Sequence, residues 1–288
     1  MRALAAVLVF LTATEASTLA EEERVPLGEN FGTAEVITIA VVSAADIASF
    51  LLTPTVTESR DPLIGEPWQW DRSVSEELFR GADAGHWLHG VPDVTGMVIA
   101  PAVTFGIYGL NGVAAYVGRP IWGRNSDHEL LALIEAYAVT VGATQAAKLS
   151  IGRVRPEYEL ERVPVPAQPD REATLSFFSL HASSSFCLAA FVSRDVGDHF
   201  VTRGVDPALA RLVPSVVLYG AAGAIALSRI IDQKHYLTDV GLGAIVGAGV
   251  GNLFYAVHFD GLGQPRRRHR RSVDLVAFPG GIGLSGRF

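Results

Sequence analysis

Three short groups of polar residues interrupt an otherwise apolar sequence and carry side chains suited to phosphate chemistry. The first group is KLSIGRVRP at 148–156, the second contains Ser179 and His181, and the third is SRIIDQKHYLTD at 228–239. Lysine, arginine, serine and histidine together provide cations, a hydroxyl and two imidazoles. This combination predicts binding of a multiply charged oxyanion, because arginine forks match phosphate oxygens in pairs.

The spacing within these groups suggests how a phosphoryl group would be transferred. His235 and Asp239 are four residues apart and share one face of a helix, so the carboxylate is expected to hold one ring nitrogen and leave the other free to attack. His181 remains to protonate the leaving alkoxide. The residues therefore predict transfer through a phosphohistidine, with fixed cations in place of a metal ion and no cofactor.

Six apolar segments, rich in Ala, Gly, Leu and Val, are expected to form the helices that position these groups. They cover roughly 34–52, 94–117, 130–147, 177–192, 212–227 and 240–257, and their length and composition favour helices over strands. If successive helices are antiparallel, the end of the third, the start of the fourth and the end of the fifth meet at one end of the bundle. The sequence thus predicts an all-α, six-helix bundle with one active site.

The three groups also resemble the motifs of a known family. The pattern K-x6-R-P, then S-x-H, then S-R-x5-H-x3-D is similar to that of the type 2 phosphatidic acid phosphatase (PAP2) superfamily, which includes class A acid phosphatases and vanadium haloperoxidases. The resemblance implies His235 as nucleophile, His181 as general acid and Asp239 as orienting carboxylate. It implies phosphate binding by the remaining matched side chains, which are Lys148, Arg155, Ser179 and Arg229. One position departs from the family's usual Pro-Ser-Gly-His, since this chain has Phe178-Ser179-Leu180-His181.

Composition restricts the class of protein. The chain has 288 residues, of which 49% are hydrophobic and 18% charged, with a net charge of −7. A negative chain gives no electrostatic reason to expect a nucleic-acid partner. The expected partners are a membrane and a phosphorylated lipid or small phosphate ester. The reaction expected is hydrolysis of lipid phosphomonoesters or pyrophosphates. A soluble nonspecific acid phosphatase and a non-catalytic lipid-phosphate binding protein are the alternatives.

The two ends of the chain carry targeting and anchoring patterns. Arg2 and the apolar residues 3–11 predict a secretory signal peptide at 1–20. We expect a periplasmic or surface segment at 21–93, the catalytic helical core at 94–260 and a basic tail at 261–288. The tail contains the run RRRHRR at 266–271, which suits a cytoplasmic surface beside anionic lipid.

The distribution of arginines among the loops predicts the orientation of the chain in the membrane. If the first apolar segment, which contains Asp46, stays outside the bilayer, the five remaining spans place all three motifs outside and the arginine-rich loops inside. The predicted location is a bacterial inner membrane with a periplasmic active site. A soluble periplasmic bundle remains the alternative, because several segments are shorter than the ~20 apolar residues of a typical span.

Several other charged residues allow less specific interpretations. Arg153 is either a helix-end cation or an indirect support for phosphate, acting through the residues that contact it, and Lys234 is expected to face solvent. His86 and His89 lack a third metal ligand nearby, so a metal site there is not expected.

Overall fold

Most of the chain folds into helices whose ends are set by local sequence. The computed structural model describes residues 24–56, 69–81, 94–123, 125–160, 173–267, 273–278 and 281–286. The N-terminal helices are α1 (Leu27–Asn30), α2 (Thr33–Val56) and α3 (Gln69–Gly81). A π-helical turn at Thr95–Ile99 continues into α4 (Ala100–Tyr116), and α5 (Ser126–Ile151) and α6 (Pro156–Glu159) follow. The last helices are α7 (Leu180–Thr202), α8 (Pro207–Ile231) and α9 (Leu237–His258). The expected helical bundle is confirmed. The predicted signal peptide at 1–20 lies outside the described residues.

The C-terminal tail contains a feature of a different kind. Strands β1 (Val273–Phe278) and β2 (Gly281–Gly286) pair antiparallel, with Val273 opposite Gly286. This two-stranded hairpin is an addition to the helical bundle. Its position agrees with the Gly-rich end of the sequence, where turn residues are concentrated.

Helix ends in the bundle carry recognisable stop and start signals. Gly152 ends α5 in a left-handed conformation, with φ of 66°, and its N–H bonds to the Lys148 carbonyl. Asp206 begins α8 by accepting hydrogen bonds from the N–H groups of Ala208 and Leu209 at 3.0 and 3.1 Å. Such caps satisfy backbone groups that a helix leaves unpaired at its ends.

Helix α7 is the centre of the bundle and packs against α5, α8 and α9. Its apolar side chains Cys187, Leu188 and Phe191 form the core together with Leu133 of α5 and Tyr255 of α9. Within the residues that the structure describes, four helical stretches are long and apolar enough to cross a membrane. They are Thr95–Tyr116, Ser126–Glu159, Pro207–Ile231 and Leu237–His258. Exposed aliphatic residues on α8, such as Val216 and Val217, are more than 60% accessible, as expected for a lipid-facing surface. The chain is therefore a membrane protein.

Helix α2 packs lengthwise beside α5. Arg24, shortly before α2, forms a 2.5 Å ion pair with Asp127 at the start of α5. Halfway along, Asp46 is buried next to Gly142, where a Cβ would lie 3.0 Å from its carboxylate oxygen. The outer face of α2 carries exposed aliphatic residues, including Val41 and Ile47. Asp46 therefore faces α5, and the surface location expected for residues 21–93 stays a prediction.

Glycines every four residues on α9 allow its backbone to contact that of α7. A Cβ built on Gly247 would lie 2.0 Å from the Ser183 carbonyl oxygen, and one on Gly251 would lie 2.5 Å from the Cys187 carbonyl oxygen. These atoms belong to the backbone and cannot rotate away. The close approach of α7 and α9 therefore requires glycine at both positions.

This packing predicts opposite effects for two glycine substitutions on the same helix. Gly247→Ala is expected to cost about 3 kcal/mol of stability, because the new methyl group forces the two backbones apart. Gly249→Ala is the matched control, since a Cβ there meets nothing within 4 Å and alanine is the better helix former. Thermal unfolding in detergent measures both. Equal melting temperatures for the two variants would contradict this account.

Candidate active site

The structure brings the three polar groups to one end of the bundle. The first follows the end of α5, the second begins α7, and the third spans the turn between α8 and α9. Backbone hydrogen bonds connect them. Ser176 N–H donates to the Arg153 carbonyl at 3.0 Å, and Ser179 N–H donates to the Asp239 carbonyl at 3.1 Å. The convergence predicted from antiparallel helices is thus present in the fold.

His235 is held with one ring nitrogen engaged. Its Nδ1–H donates to the Ser176 carbonyl at 2.7 Å, which leaves the lone pair on Nε2. The ring is 2% exposed. The backbone N–H of His235 donates to the Arg229 carbonyl at 3.2 Å, so the turn after α8 positions the residue from both sides. This tautomer makes Nε2 the atom available for attack.

Burial and nearby cations keep the His235 ring neutral. Burial lowers the pKa of His235 well below its usual range, and the positive charges of Lys148, Arg155 and Arg229 lower it further. The Ser176 carbonyl opposes this shift. The same three cations were predicted to bind phosphate, and all are less than 10% exposed. A neutral imidazole among buried cations is suited to attack on an anionic phosphorus centre.

Asp239 reaches the site but makes different contacts from those expected. Its carboxylate accepts hydrogen bonds from Ser176 Oγ at 2.5 Å, Arg153 at 2.6 Å and Tyr236 N–H at 2.9 Å. Its nearest oxygen is 4.0 Å from His235 Nδ1. The ring nitrogen bonds instead to the Ser176 carbonyl, and the Ser176 hydroxyl bonds to Asp239. Asp239 acts on His235 through Ser176, by fixing the segment that carries this carbonyl.

Ser179 and His181 begin α7. Ser179 is the N-cap, and its hydroxyl oxygen accepts a hydrogen bond from Ala182 N–H at 3.4 Å. His181 lies in the first turn, where a Cβ on Gly96 would be 3.1 Å from its Cδ2 atom. The π-helical turn before α4 therefore packs against this ring. Leu180, at the position where the resembled family has glycine, is buried at 5% exposure.

Two cationic side chains to which the sequence assigned no specific role form ion pairs. Arg153 bonds to Asp71 at 2.8 Å and to Asp239 at 2.6 Å, so its guanidinium group links two buried carboxylates of the site, and its indirect role in phosphate binding stays a prediction. Lys234 is 32% exposed and pairs with Glu157 at 2.6 Å, which corrects the expectation that it simply faces solvent. The predicted residues His86 and His89 lie outside the described residues.

Helix α3 contributes residues that the sequence did not identify as functional. Asp71 is fully buried and accepts hydrogen bonds from Arg153 and from the hydroxyl of Thr238. Ser75 donates to the Gln233 side chain at 3.0 Å. These contacts link α3 to the turn that carries His235. No local pattern signals them, because the partners are more than 80 residues apart in sequence.

The contacts of Asp71 predict a clear difference between two acidic residues of α3. Asp71→Asn is expected to cost about 3 kcal/mol and to lower catalysis, because it removes one of two carboxylates from a buried guanidinium. Glu76→Gln is the matched control, since its ion pair with Arg72 is exposed and contributes at most about 0.5 kcal/mol. Melting temperature and phosphate release should be compared. A similar loss in both variants would argue against a special role for Asp71.

Comparison with known proteins agrees with this geometry. Residues 129–261 match the family model of the PAP2 superfamily. A PA-phosphatase related-family protein of Dictyostelium discoideum is 28% identical over 60% of this chain and 64% of its own length. A lipid A 1-phosphatase of Porphyromonas gingivalis is 29% identical over 49% of this chain and 25% of its own length. The matches thus span less than two thirds of these relatives.

A solved structure is also similar. The crystal structure of a transmembrane PAP2 type phosphatidylglycerolphosphate phosphatase from Bacillus subtilis aligns with a TM-score of 0.48 and 17% identity. The alignment covers 73% of this chain and 94% of that one. The residues that match the PAP2 superfamily model, 129–261, contain all three polar groups.

Proposed function

We propose that this chain is a phosphatase that hydrolyses phosphomonoesters or pyrophosphates of lipids through a phosphohistidine. The observation that carries the proposal is the neutral, buried His235 ring, whose free Nε2 is surrounded by the charges of Lys148, Arg155 and Arg229. Fixed cations of this kind stabilise the charge that develops on the phosphoryl oxygens. The match of residues 129–261 to the PAP2 superfamily model supports the same chemistry.

The reaction has two steps in this proposal. Nε2 of His235 attacks phosphorus, the bond from phosphorus to the leaving oxygen breaks, and His181 gives its proton to that oxygen. A water molecule then attacks the phosphohistidine, releasing phosphate and returning the proton to His181. Ser179, at the start of α7, adds a hydroxyl and nearby backbone N–H groups as a seat for the anion. Asp239 and Arg153 hold the segments that carry the reacting groups.

A lipid substrate is supported by the surface around the catalytic end. Exposed aliphatic residues lie on the helices next to the site, including Val98 on the π-helical turn, Leu227 near the end of α8 and Leu237 at the start of α9. Acyl chains could lie along these residues while the phosphate enters among the cations. The lipid A 1-phosphatase relative acts on a lipid phosphate, which favours the same substrate class here.

Phosphate release from two substrates tests this function. The purified protein in detergent should hydrolyse phosphatidic acid in mixed micelles with kcat/KM about 100-fold above that for a short water-soluble monoester, because remote binding energy contributes to catalysis. EDTA should leave the turnover unchanged over the time of the assay. Faster hydrolysis of the soluble ester would favour a nonspecific acid phosphatase. Lipid binding without turnover would favour a binding protein.

We propose that the catalytic end faces the outside of the cell membrane. The opposite end carries arginines that do not belong to the site, including Arg119, Arg203 and Arg211, and basic loops remain in the cytoplasm. If α2 also crosses the membrane, this orientation requires that the chain before α2 stay inside, so a leader cleaved on the outside would reverse it. Labelling of a single cysteine at position 119 with an impermeant maleimide distinguishes the two. Labelling in intact cells would contradict an outward site.

A further inference from the structure

A second cluster of ionisable side chains lies at the end of the bundle opposite the proposed active site. Glu129 in the first turn of α5, with Asp195 and His199 in the last turns of α7, forms what we call the far-end cluster. One donor atom from each residue lies within 4.8 Å of the others. Along α7, Asp195 is 14 residues from His181, or ~21 Å at the rise of an α-helix. The phosphatase mechanism makes no use of this cluster.

His199 is oriented with one nitrogen available. Its Nδ1 lies 3.0 Å from the Asp195 carbonyl oxygen and donates its proton there, so the lone pair is on Nε2. Nε2 faces Glu129 Oε1 at 3.6 Å, which is longer than a hydrogen bond. A ring N–H bonded to a backbone carbonyl is the usual outer contact of a histidine that binds a metal through its other nitrogen.

Asp195 presents a buried carboxylate oxygen to the same place. The residue is 1% exposed, and its Oδ2 accepts a 2.6 Å hydrogen bond from the Tyr108 hydroxyl. Its Oδ1 makes no hydrogen bond to any part of the chain that the structure describes. This oxygen lies 3.6 Å from His199 Nδ1, on the side of the ring that faces Asp195. Buried polar atoms are normally satisfied, so an unsatisfied carboxylate oxygen in a preoriented group points to a missing cation.

We propose that the far-end cluster binds a divalent transition-metal ion, with zinc the best fit to its ligands. Zinc binds His nitrogen and carboxylate oxygen at about 2.0–2.2 Å, so neighbouring ligands in a tetrahedron are about 3.4 Å apart. The 3.6 Å separation between His199 Nε2 and Glu129 Oε1 matches this geometry, and one donor atom from each of the three residues lies within 4.8 Å of the others. A divalent ion would also offset the charges of two buried carboxylates. The His199 side chain is 13% exposed and gives the ion a route from solvent and room for a water ligand.

Such an ion would connect α5 to α7 at the end where the two helices have no catalytic role. Glu129 belongs to α5, whereas the other two ligands belong to α7. Since binding to the folded state alone stabilises it by mass action, the metal should raise the melting temperature by roughly 5–10 °C at saturating concentration. It should leave phosphate release unchanged, so this proposal can fail without affecting the proposed phosphatase function.

Metal content and cobalt spectroscopy test the proposal directly. The full-length protein, purified without a histidine tag, should be stripped with EDTA, dialysed against Zn²⁺ and analysed by elemental mass spectrometry. We expect one zinc per chain. Substitution of Co²⁺ should give the visible absorption bands of a four-coordinate site. Less than 0.1 zinc per chain in the well-folded protein would overturn the proposal.

A pair of glutamate variants on α5 controls for adventitious binding. Glu129→Gln should lose the bound metal and the cobalt bands, because an amide is a much weaker ligand of nearly the same shape. Glu135→Gln should keep both, although Glu135 is also buried and pairs with a histidine, His258, at 2.8 Å. His199→Gln should behave like Glu129→Gln. Equal metal content in the two glutamate variants would overturn the assignment to this cluster, even if the wild-type protein binds zinc.

Discussion

His235→Gln should reduce phosphate release by about 10⁴-fold, to the background of the assay, because the variant has no nucleophile. Glutamine fills a similar volume and can still reach the Ser176 carbonyl, which Nδ1 of the wild-type ring contacts at 2.7 Å. The fold should therefore survive, and the loss should appear in kcat. The measurement is steady-state release from phosphatidic acid, together with the melting temperature of each protein.

A trapping experiment shows whether the histidine becomes covalently phosphorylated. Wild-type protein mixed briefly with ³²P-labelled substrate and quenched in alkali should carry label that acid removes, as a phosphohistidine does. His235→Gln should carry none. His199→Gln is the control, because this ring lies at the other end of α7 and contacts none of the proposed catalytic groups. Acid-labile label on His235→Gln would assign the nucleophile to another residue.

The sequence predicted that the three polar groups converge at one end of the bundle, because this information is carried in short motifs at helix ends. Three motifs at the ends of successive antiparallel helices must meet, whatever the detailed packing. The structure places Lys148, Arg155 and Arg229 where their charges act on His235. The apolar segments were long enough to identify the helices, although α5, α7 and α8 extend several residues beyond the predicted segments. Polar residues such as Arg194 and Asp198 continue α7 past the apolar stretch.

The contacts that orient the nucleophile could not be predicted from the sequence. The motif spacing gave Asp239 and His235 the same helical face, but His235 lies before α9 begins, and the two side chains are 4.0 Å apart, which is too far for a hydrogen bond. A carbonyl, from Ser176, takes the expected place of the carboxylate. Every residue has a backbone carbonyl, so the amino-acid sequence does not show which carbonyl accepts the hydrogen bond from His235. Asp71 was missed for a related reason, since its partner Arg153 is 82 residues away.

The position of α2 depends on its packing against α5, which cannot be predicted from amino-acid composition. Asp46 suggested that the segment avoids the membrane, yet the residue is buried against Gly142 of α5. Gly142 has no side chain, so it leaves space on α5 for the Asp46 carboxylate. The sequence shows that Asp46 is charged but does not show that a neighbouring helix leaves room for it. The far-end cluster was also missed, because Glu129 is 66 residues from Asp195 and each residue looks ordinary in its own helix.

Lys148→Met should lower kcat/KM by about 100-fold and move the acid side of its pH profile to higher pH. The first effect follows from removing one of the cations that stabilise the transferring phosphoryl group. The second follows from the pKa of His235, which burial and the charges of Lys148, Arg155 and Arg229 hold well below its usual range. Attack requires the neutral ring, so kcat/KM falls when pH drops through this pKa. Losing one cation raises the pKa, and the fall begins at higher pH.

The only other lysine of the chain provides the matched control for this profile. Lys234 adjoins His235 in sequence, but its ammonium group pairs with Glu157 at 2.6 Å and is not among the charges that lower the His235 pKa. Lys234→Met should therefore keep the acid limb of the wild-type protein. Ionisation of the substrate affects the wild-type protein and both lysine variants equally, so it cancels when their kcat/KM values are divided at each pH. An unchanged limb in Lys148→Met, or an equal shift in both variants, would show that Lys148 does not hold His235 neutral.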